Sequence, residues 1–222
     1  MPNRSIMRVR SLALLLPGLI LGLWSDGAHA QENPAHAHIG HVLDGFGQTP
    51  DGEGLLPTAL AEAEVARQHA GFAAGDLENL DAMKMHAEHV LHAVDPEAID
   101  GGPGHGFGVK RAAEGIAQHV QLAADSDGAS DNVQTHAAHV AASARTVAQR
   151  ADEIVAVVEQ ILAAESAGEA APLVEELETL TGELVAGRDA TGDGQISWQE
   201  GEGGLEHVEQ HMGLMTSGEG LD

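Results

Sequence analysis

Apolar residues, most of them alanine, recur through long stretches of this chain, and short clusters of Gly, Pro, Asp and Ser separate these stretches. Alanine has the highest intrinsic helix propensity, and Gly/Pro/Asp clusters are typical of loops. The pattern predicts helices over residues 35–44, 57–74, 79–94, 109–124, 131–166, 171–187 and 204–216. Runs of β-branched residues are scarce. We therefore expect an all-α fold, an Ala-rich helical bundle built from short side chains.

Two segments of the chain repeat each other at a distance of fifty residues, 64–90 and 114–140. The residues that recur identically are Glu64, Gln68, His69, Ala73, Ala74, His86, Ala87, His89 and Val90. Each copy spans two predicted helices, so the repeat unit is expected to be a helical hairpin. Gly-x-Gly loops at 52–54, 104–106 and 201–203 suggest a degenerate third unit, divided between the two ends of the chain.

Two kinds of histidine string alternate along the chain. His-x-x-His-Val occurs three times, and Glu-x-x-x-Gln-His also occurs three times. The histidines in these strings are His38, His41, His69, His86, His89, His119, His136, His139 and His211. They are nine of the thirteen histidines that follow residue 30, so their regular placement requires a common chemical explanation.

Transition-metal binding explains this placement. Residues three apart on a helix have Cβ atoms about 5–6 Å apart, so both imidazoles of a His-x-x-His can bind one ion. A third imidazole must come from another helix, and each Glu-x-x-x-Gln-His string offers one. The chain contains no cysteine. Imidazole clusters without sulfur select copper, zinc, nickel, cobalt or iron rather than calcium or magnesium.

The repeat also predicts which histidines meet. Both copies place the lone histidine seventeen residues before the His-x-x-His pair. The expected sets are His69 with His86 and His89, and His119 with His136 and His139. Two alternatives remain open. Each His-x-x-His can instead pair with the lone histidine downstream, for example His89 with His119, or the two sets can share one centre.

Further residues are candidates for a supporting role. The glutamates of the second string are Glu64, Glu114 and Glu206. On a helix with 3.6 residues per turn, each lies five residues before its own histidine and is rotated roughly 140° from it. We expect them to accept the second ring N–H of a ligand histidine on a neighbouring helix, or to bind a neighbouring ion. His105 and His207 are additional candidate ligands, whereas His36 and His92 are expected to be solvated or hydrogen-bonded.

Residues 189–200 carry a second motif, rich in oxygen ligands. Asp189, Thr191, Asp193, Gln195, Ser197 and Glu200 occupy positions 1, 3, 5, 7, 9 and 12 of a twelve-residue loop, with Gly194 at position 6. This segment resembles the EF-hand calcium loop. The resemblance covers the loop alone, and it departs from the family at Thr191 and at the glycines that interrupt the outgoing helix. It implies a single structural calcium site that holds the last helix against the repeats.

The first thirty residues are typical of a cleaved signal peptide. Three arginines precede the apolar run 11–24, and Ala28-His29-Ala30 resembles a cleavage site. The mature chain is then expected to begin near Gln31, to contain no membrane span and to be periplasmic or secreted. Residues 31–170 are predicted to form the His-rich bundle, and residues 171–222 to add the calcium loop and a final helix that packs on it.

The charge of the chain narrows the choice of partners. The formal net charge is −25, and removing residues 1–30 changes it to 7 − 34 = −27. Nucleic acids and anionic membranes are therefore poor partners, whereas metal ions and basic or metal-donating proteins are favoured. We expect a non-enzymatic protein that stores, buffers or delivers a transition metal. The alternatives are a His-ligated metalloenzyme or redox protein, and a structural or partner-binding helical protein.

Overall fold

The computed structural model of the protein describes residues 33–221. This range holds seven α-helices, one short 3-10 helix (Pro50–Gly52) and no β-strand, which confirms the all-α prediction. The helices are α1 (Pro34–Leu43), α2 (Leu55–Ala74), α3 (Leu80–Val94), α4 (Val109–Ala124), α5 (Asp131–Ala163), α6 (Ala167–Ala186) and α7 (Leu205–Glu219). The predicted signal segment lies outside the described residues.

Side-chain caps fix where several helices begin. Asn33, Asn79, Ser130 and Ser166 each accept a backbone N–H from the first turn of the following helix. The cap at Ser166 corrects the sequence prediction, because α6 begins four residues earlier than residue 171 and α5 ends at 163 rather than 166. Serine is a favoured N-cap residue, and the helix that it starts continues through Pro172.

The core of the bundle consists mostly of alanine, valine, leucine and isoleucine. α2 packs against α3 and α4 against α5, so both copies of the repeat form helical hairpins. α5 also contacts α3, α6 and α7, while α1 packs on α4. Val42, Val90 and Val140, the valines of the three His-x-x-His-Val strings, are fully buried. Each valine therefore fixes the rotation of its helix and holds the preceding histidines at the edge of the core.

Two buried charged side chains anchor the loops that precede α4 and α7. The Glu62 carboxylate accepts the backbone N–H groups of His105, Phe107 and Gly108. Arg150 donates to the backbone carbonyls of Glu183, Gly201 and Gly203. Because both helices carry a lone histidine, these anchors also position the histidines.

The described residues, 33–221, form one compact unit. The expected boundary between residues 170 and 171 falls inside α6, and α6 packs on α2 and α5. No helix within the described range is both long and apolar enough to cross a membrane.

Candidate metal centres

The nine histidines of the two kinds of string assemble into three separate triads. Site 1 comprises His38, His41 and His119; site 2 comprises His69, His86 and His89; site 3 comprises His136, His139 and His211. In each triad, one ring nitrogen from every histidine lies within 4.8 Å of the other two. Each site combines the His-x-x-His of one helix with the lone histidine of another, through the helix pairs α1–α4, α2–α3 and α5–α7.

The predicted pairing is confirmed at site 2 and wrong for the second copy of the repeat. His119 does not join His136 and His139, although all three belong to the α4–α5 hairpin. It meets His38 and His41 on α1 instead, and His211 on α7 completes the third triad. Helices outside the two complete hairpins therefore supply the missing partners. Site 3 matches the alternative in which a His-x-x-His takes the next lone histidine downstream, whereas site 1 matches no predicted pairing, because His38 and His41 skip His69 and take His119.

The three sites have nearly the same ring geometry. The two rings of each His-x-x-His have centres 5.8, 5.7 and 5.9 Å apart in sites 1, 2 and 3. The lone histidine lies 5.3 Å from the first of these rings in every site. Its distance from the second ring is 4.8, 4.6 and 4.6 Å. The sites are thus three copies of one arrangement.

The ring nitrogens that face each other in sites 1 and 2, and between His136 and His211, are Nδ1 atoms. His119 Nδ1 lies 3.1 Å from His38 Nδ1 and 3.3 Å from His41 Nδ1. In site 2 the equivalent distances, from His69 to His86 and His89, are 3.1 and 3.2 Å. Three imidazoles bound tetrahedrally to one zinc ion at about 2.0–2.1 Å would hold their nitrogens about 3.3 Å apart. The observed spacing therefore fits a shared ion.

Hydrogen bonds alone do not satisfy these nitrogens. A neutral imidazole nitrogen carries either one hydrogen or one lone pair, so the Nδ1 of His119 can satisfy only one of its two neighbours. In site 3, His136 Nδ1 and His211 Nδ1 are 3.1 Å apart, while His139 Nδ1 is buried and has no hydrogen-bond partner within the described chain. A cation at the centre accepts all three lone pairs at once.

Burial keeps most of these imidazoles neutral. It lowers the pKa of His38, His69, His86, His119, His139 and His211, and neighbouring imidazoles lower the pKa further. The effect is largest for His211, whose pKa falls to about 4. Only neutral imidazole binds a metal ion, so the lowered pKa of these six histidines favours the form that binds.

An aromatic side chain adjoins each triad. Phe46 contacts His41 and His119, with ring centres 5.6 and 5.1 Å away. Phe72 contacts His69 and His86 at 5.4 and 5.3 Å. Trp198 stacks on His139 at 3.9 Å. Sequence analysis missed these contacts because the three aromatic residues do not occupy equivalent positions in the repeat.

The three glutamates of the second string do not lie among the histidines. Glu64 is exposed and forms a salt bridge with Arg67, with Glu64 Oε1 2.7 Å from the arginine Nη2. Glu114 and Glu206 are also exposed. None of the three belongs to a triad, and each triad contains histidines only. Three protein nitrogens therefore leave further coordination positions of an ion open to water or to an incoming ligand.

The remaining histidines lie outside the triads. His36 bonds to the Glu219 carboxylate at 3.0 Å, and His92 Nδ1 lies 2.8 Å from the Pro103 carbonyl, which confirms the hydrogen-bonded role expected for both. His105 is exposed in its loop. His207 lies close to the Gly204 N–H and the Ile196 carbonyl at the start of α7. Neither His105 nor His207 joins a triad.

The loop that resembles an EF-hand is organised by two carboxylates. Asp189 accepts the backbone N–H groups of Gly192, Asp193 and Gly194, which lower its pKa. Asp193 accepts the N–H of Gln195 at 2.8 Å. These bonds close the turn at the head of the loop.

Glu202, rather than Glu200, closes the other end of this loop. The Glu202 carboxylate accepts the hydroxyl groups of Thr191 and Ser197 at 2.9 and 2.7 Å, and these bonds lower its pKa. Glu200 is exposed. Within the described chain, Asp189, Asp193 and Glu200 do not form a group whose oxygens all lie within 4.8 Å of one another. The Gly-x-Gly setting of Glu202 was the only sequence signal for its role.

No family model, curated protein or solved structure matches the chain. The geometry of the three triads is therefore the basis for assigning a function.

Proposed function

We propose that this chain is an exported protein that binds three transition-metal ions, one in each histidine triad, and stores, buffers or delivers them. The supporting observation is the equivalence of the sites, whose matched ring-centre distances agree within 0.2 Å. A reaction needs one centre with a specific substrate pocket. Three copies of one centre instead increase the number of ions that a chain carries.

The ligand set of each site supports reversible binding. Three histidines without a thiolate or carboxylate bind copper, zinc, nickel, cobalt or iron. The open positions allow a ligand from a partner to attach before the histidines release the ion, so transfer does not require a free ion in solution. The net charge of −25 attracts cations and favours a basic, metal-donating protein partner.

Metal stoichiometry tests the proposal. Untagged protein is loaded with zinc or copper, dialysed and analysed for metal content, and three ions per chain are expected. His69→Ala, His119→Ala and His211→Ala should each reduce the content to two. His105→Ala is the matched control, because this exposed histidine belongs to no triad, and it should keep three ions. A folded wild-type protein that retains no ion contradicts the proposal.

Calcium binding by residues 189–200 is part of the same proposal. It is supported by the match of five ligand positions to the EF-hand loop, with Thr191 as the departure, and by the turn that Asp189 and Asp193 organise. Hard oxygen ligands select calcium, whereas the imidazoles select softer ions. A calcium ion would join the end of α6 to the start of α7 and thereby support site 3.

Export is proposed from residues 1–30 alone. The measurement is the intact mass of the protein recovered from a periplasmic or extracellular fraction. A mass that begins near Gln31 supports the proposal, and a full-length cytoplasmic protein contradicts it.

One observation favours a metalloenzyme as the second candidate. A cavity of about 210 Å³ adjoins site 1. His119, Gln118, Arg111 and Glu114 are among the residues that line it. A metal with an open position beside a polar cavity is typical of a catalytic centre. Titration of the cobalt-loaded protein with azide separates the two functions. Azide binding at site 1 alone favours catalysis. Azide binding with equal affinity at all three sites favours storage.

A further inference from the structure

Site 3 differs from the other two sites in its aromatic contact. The Trp198 indole lies face to face with the His139 imidazole, with centres 3.9 Å apart and planes 19° apart. Phe46 meets His119 at an interplanar angle of 70°, and Phe72 meets His69 at 87°. Among the described residues, only site 3 has a candidate ligand ring stacked flat against another aromatic ring.

The loop that carries Trp198 is tied to the helix that carries His139. The backbone N–H of Gly201 donates to Thr146 Oγ1 at 3.0 Å, and Arg150 donates to the carbonyls of Gly201 and Gly203. Thr146, Arg150 and two ligands of site 3 all lie on α5. The loop is also fixed next to the indole, because Ser197 bonds to the buried Glu202. The position of Trp198 over His139 is therefore set by the loop.

We propose, on the basis of the three-ion function above, that Trp198 is a positioning residue that makes site 3 the tightest of the three sites. The stack limits rotation of the His139 ring and keeps its buried Nδ1 directed at the ion, so less rotational freedom is lost when the ion binds. A cation bound to the imidazole draws electrons from the ring, and the electron-rich indole face then attracts it more strongly. The phenylalanines of sites 1 and 2 meet their histidines at interplanar angles of 51–87°, so no ligand ring there lies flat on an aromatic face.

The same contact links site 3 to the loop over residues 187–204. Coupling between two sites is reciprocal, so an ion in site 3 stabilises the loop, and anything that orders the loop raises the affinity of site 3. The three ions would then differ in how readily they are released. Site 3 fills first and empties last, while sites 1 and 2 hold the ions that exchange with the surroundings.

Tryptophan fluorescence provides the first test, because Trp198 is the only tryptophan after residue 30. Untagged protein from which residues 1–30 have been removed is titrated with copper(II), which quenches a nearby indole. Most of the quenching is expected within the first equivalent of copper, whereas the bound copper should continue to rise to three ions per chain. Quenching spread evenly over three equivalents, or confined to the last, overturns this inference and leaves the three-ion function intact. Absence of any bound copper overturns both.

The second test measures the affinity of site 3 alone. His69→Ala combined with His119→Ala leaves one triad, and its copper affinity is measured by competition with a chelator. Adding Trp198→Ala should weaken binding by about fivefold, the size expected from losing an aromatic pair. Trp198→Phe should restore most of the affinity.

Ile196→Ala is the matched control, because this exposed apolar side chain lies in the same loop, two residues before Trp198, and has no aromatic ring that could stack on a histidine. It should leave the copper affinity unchanged. Circular dichroism checks that every variant keeps its helices. Equal affinity with and without Trp198, or an equal loss in Ile196→Ala, shows that the indole does not position His139.

Discussion

His119 Nδ1 lies 3.1 Å from His38 Nδ1, although eighty-one positions separate the two residues along the chain. His136 is only seventeen positions from His119 and belongs to the same hairpin, yet it forms its triad with His211. Sites 1 and 3 therefore combine helices that are distant along the chain, whereas site 2 joins two consecutive helices. This arrangement determines which pairs of substitutions remove the same ion.

Double substitutions should follow the triads and not the repeat. His38→Ala with His119→Ala removes two ligands of site 1, so the loaded protein should lose one ion of three. His119→Ala with His136→Ala affects two sites and should lose two ions. Elemental analysis of the dialysed proteins distinguishes these results. If His119→Ala with His136→Ala instead loses one ion and His38→Ala with His119→Ala loses two, the second copy of the repeat forms its own site.

Metal loading should decrease steeply as the pH falls from about 6.5 to about 4. Each ion needs three neutral imidazoles, and the lowered pKa of His38, His69, His86, His119, His139 and His211 moves proton competition below the unperturbed value of about 6.5. Loading is measured by equilibrium dialysis across this range. A flat profile would exclude coordination dominated by histidine.

The metal-free protein should also lose stability as the pH falls. The pKa of His211 is about 4 in the folded protein and about 6.5 in an unfolded chain, so between these values the unfolded chain binds more protons. The free energy of unfolding is therefore highest above about pH 6.5 and decreases towards pH 4. His211→Ala should flatten the dependence of the melting temperature on pH, whereas His105→Ala should not. If the melting temperature of His211→Ala depends on pH as strongly as that of the wild type, a group other than His211 causes the dependence.

Glu62→Ala should destabilise the bundle by about 3 kcal/mol. The substitution leaves three backbone N–H groups of the loop before α4 without their acceptor, and hydrogen bonds to charged groups contribute about 1.5–3 kcal/mol. Urea unfolding gives the free energy. Glu64→Ala, two residues away on the same helix, is the control, because its exposed pair with Arg67 should contribute little. Similar effects of the two variants would show that the buried carboxylate is not an anchor.

Two glutamates allow a direct test of the calcium loop. Glu200→Gln should weaken calcium binding at least tenfold, since the EF-hand resemblance gives this residue two ligand oxygens, and it should leave metal loading of site 2 intact. Glu202→Gln should instead loosen Ser197 and reduce the stacking of the neighbouring Trp198. Calorimetry with calcium and tryptophan emission separate these effects. Loss of calcium binding only in Glu202→Gln would assign the closing ligand to Glu202.

Helix formation and the choice of ligand residues follow from the sequence, whereas the pairing of the helices does not. Spacing of three residues places His86 and His89 on one helix face whatever the fold, so these pairs are predictable. The partner of His119 depends on which face α4 turns to its neighbours. Exposed Arg67 of α2 corresponds to buried Ala117 of α4, which lines a cavity together with Arg145 of α5. His119 meets α1, which packs on α4, so the partner is set by a helix that lies outside the repeat.

The contact between His36 and Glu219 brings the first and last helices of the described chain together. Glu219 also accepts the side chains of Ser130 and Asn132, so the start of α1 and the end of α7 meet beside the start of α5. A short linker could join these ends, and the exposed loop over residues 97–101 could be opened to give a circular permutant. Because packing assembles the triads, that permutant should fold with all three and bind the same number of ions.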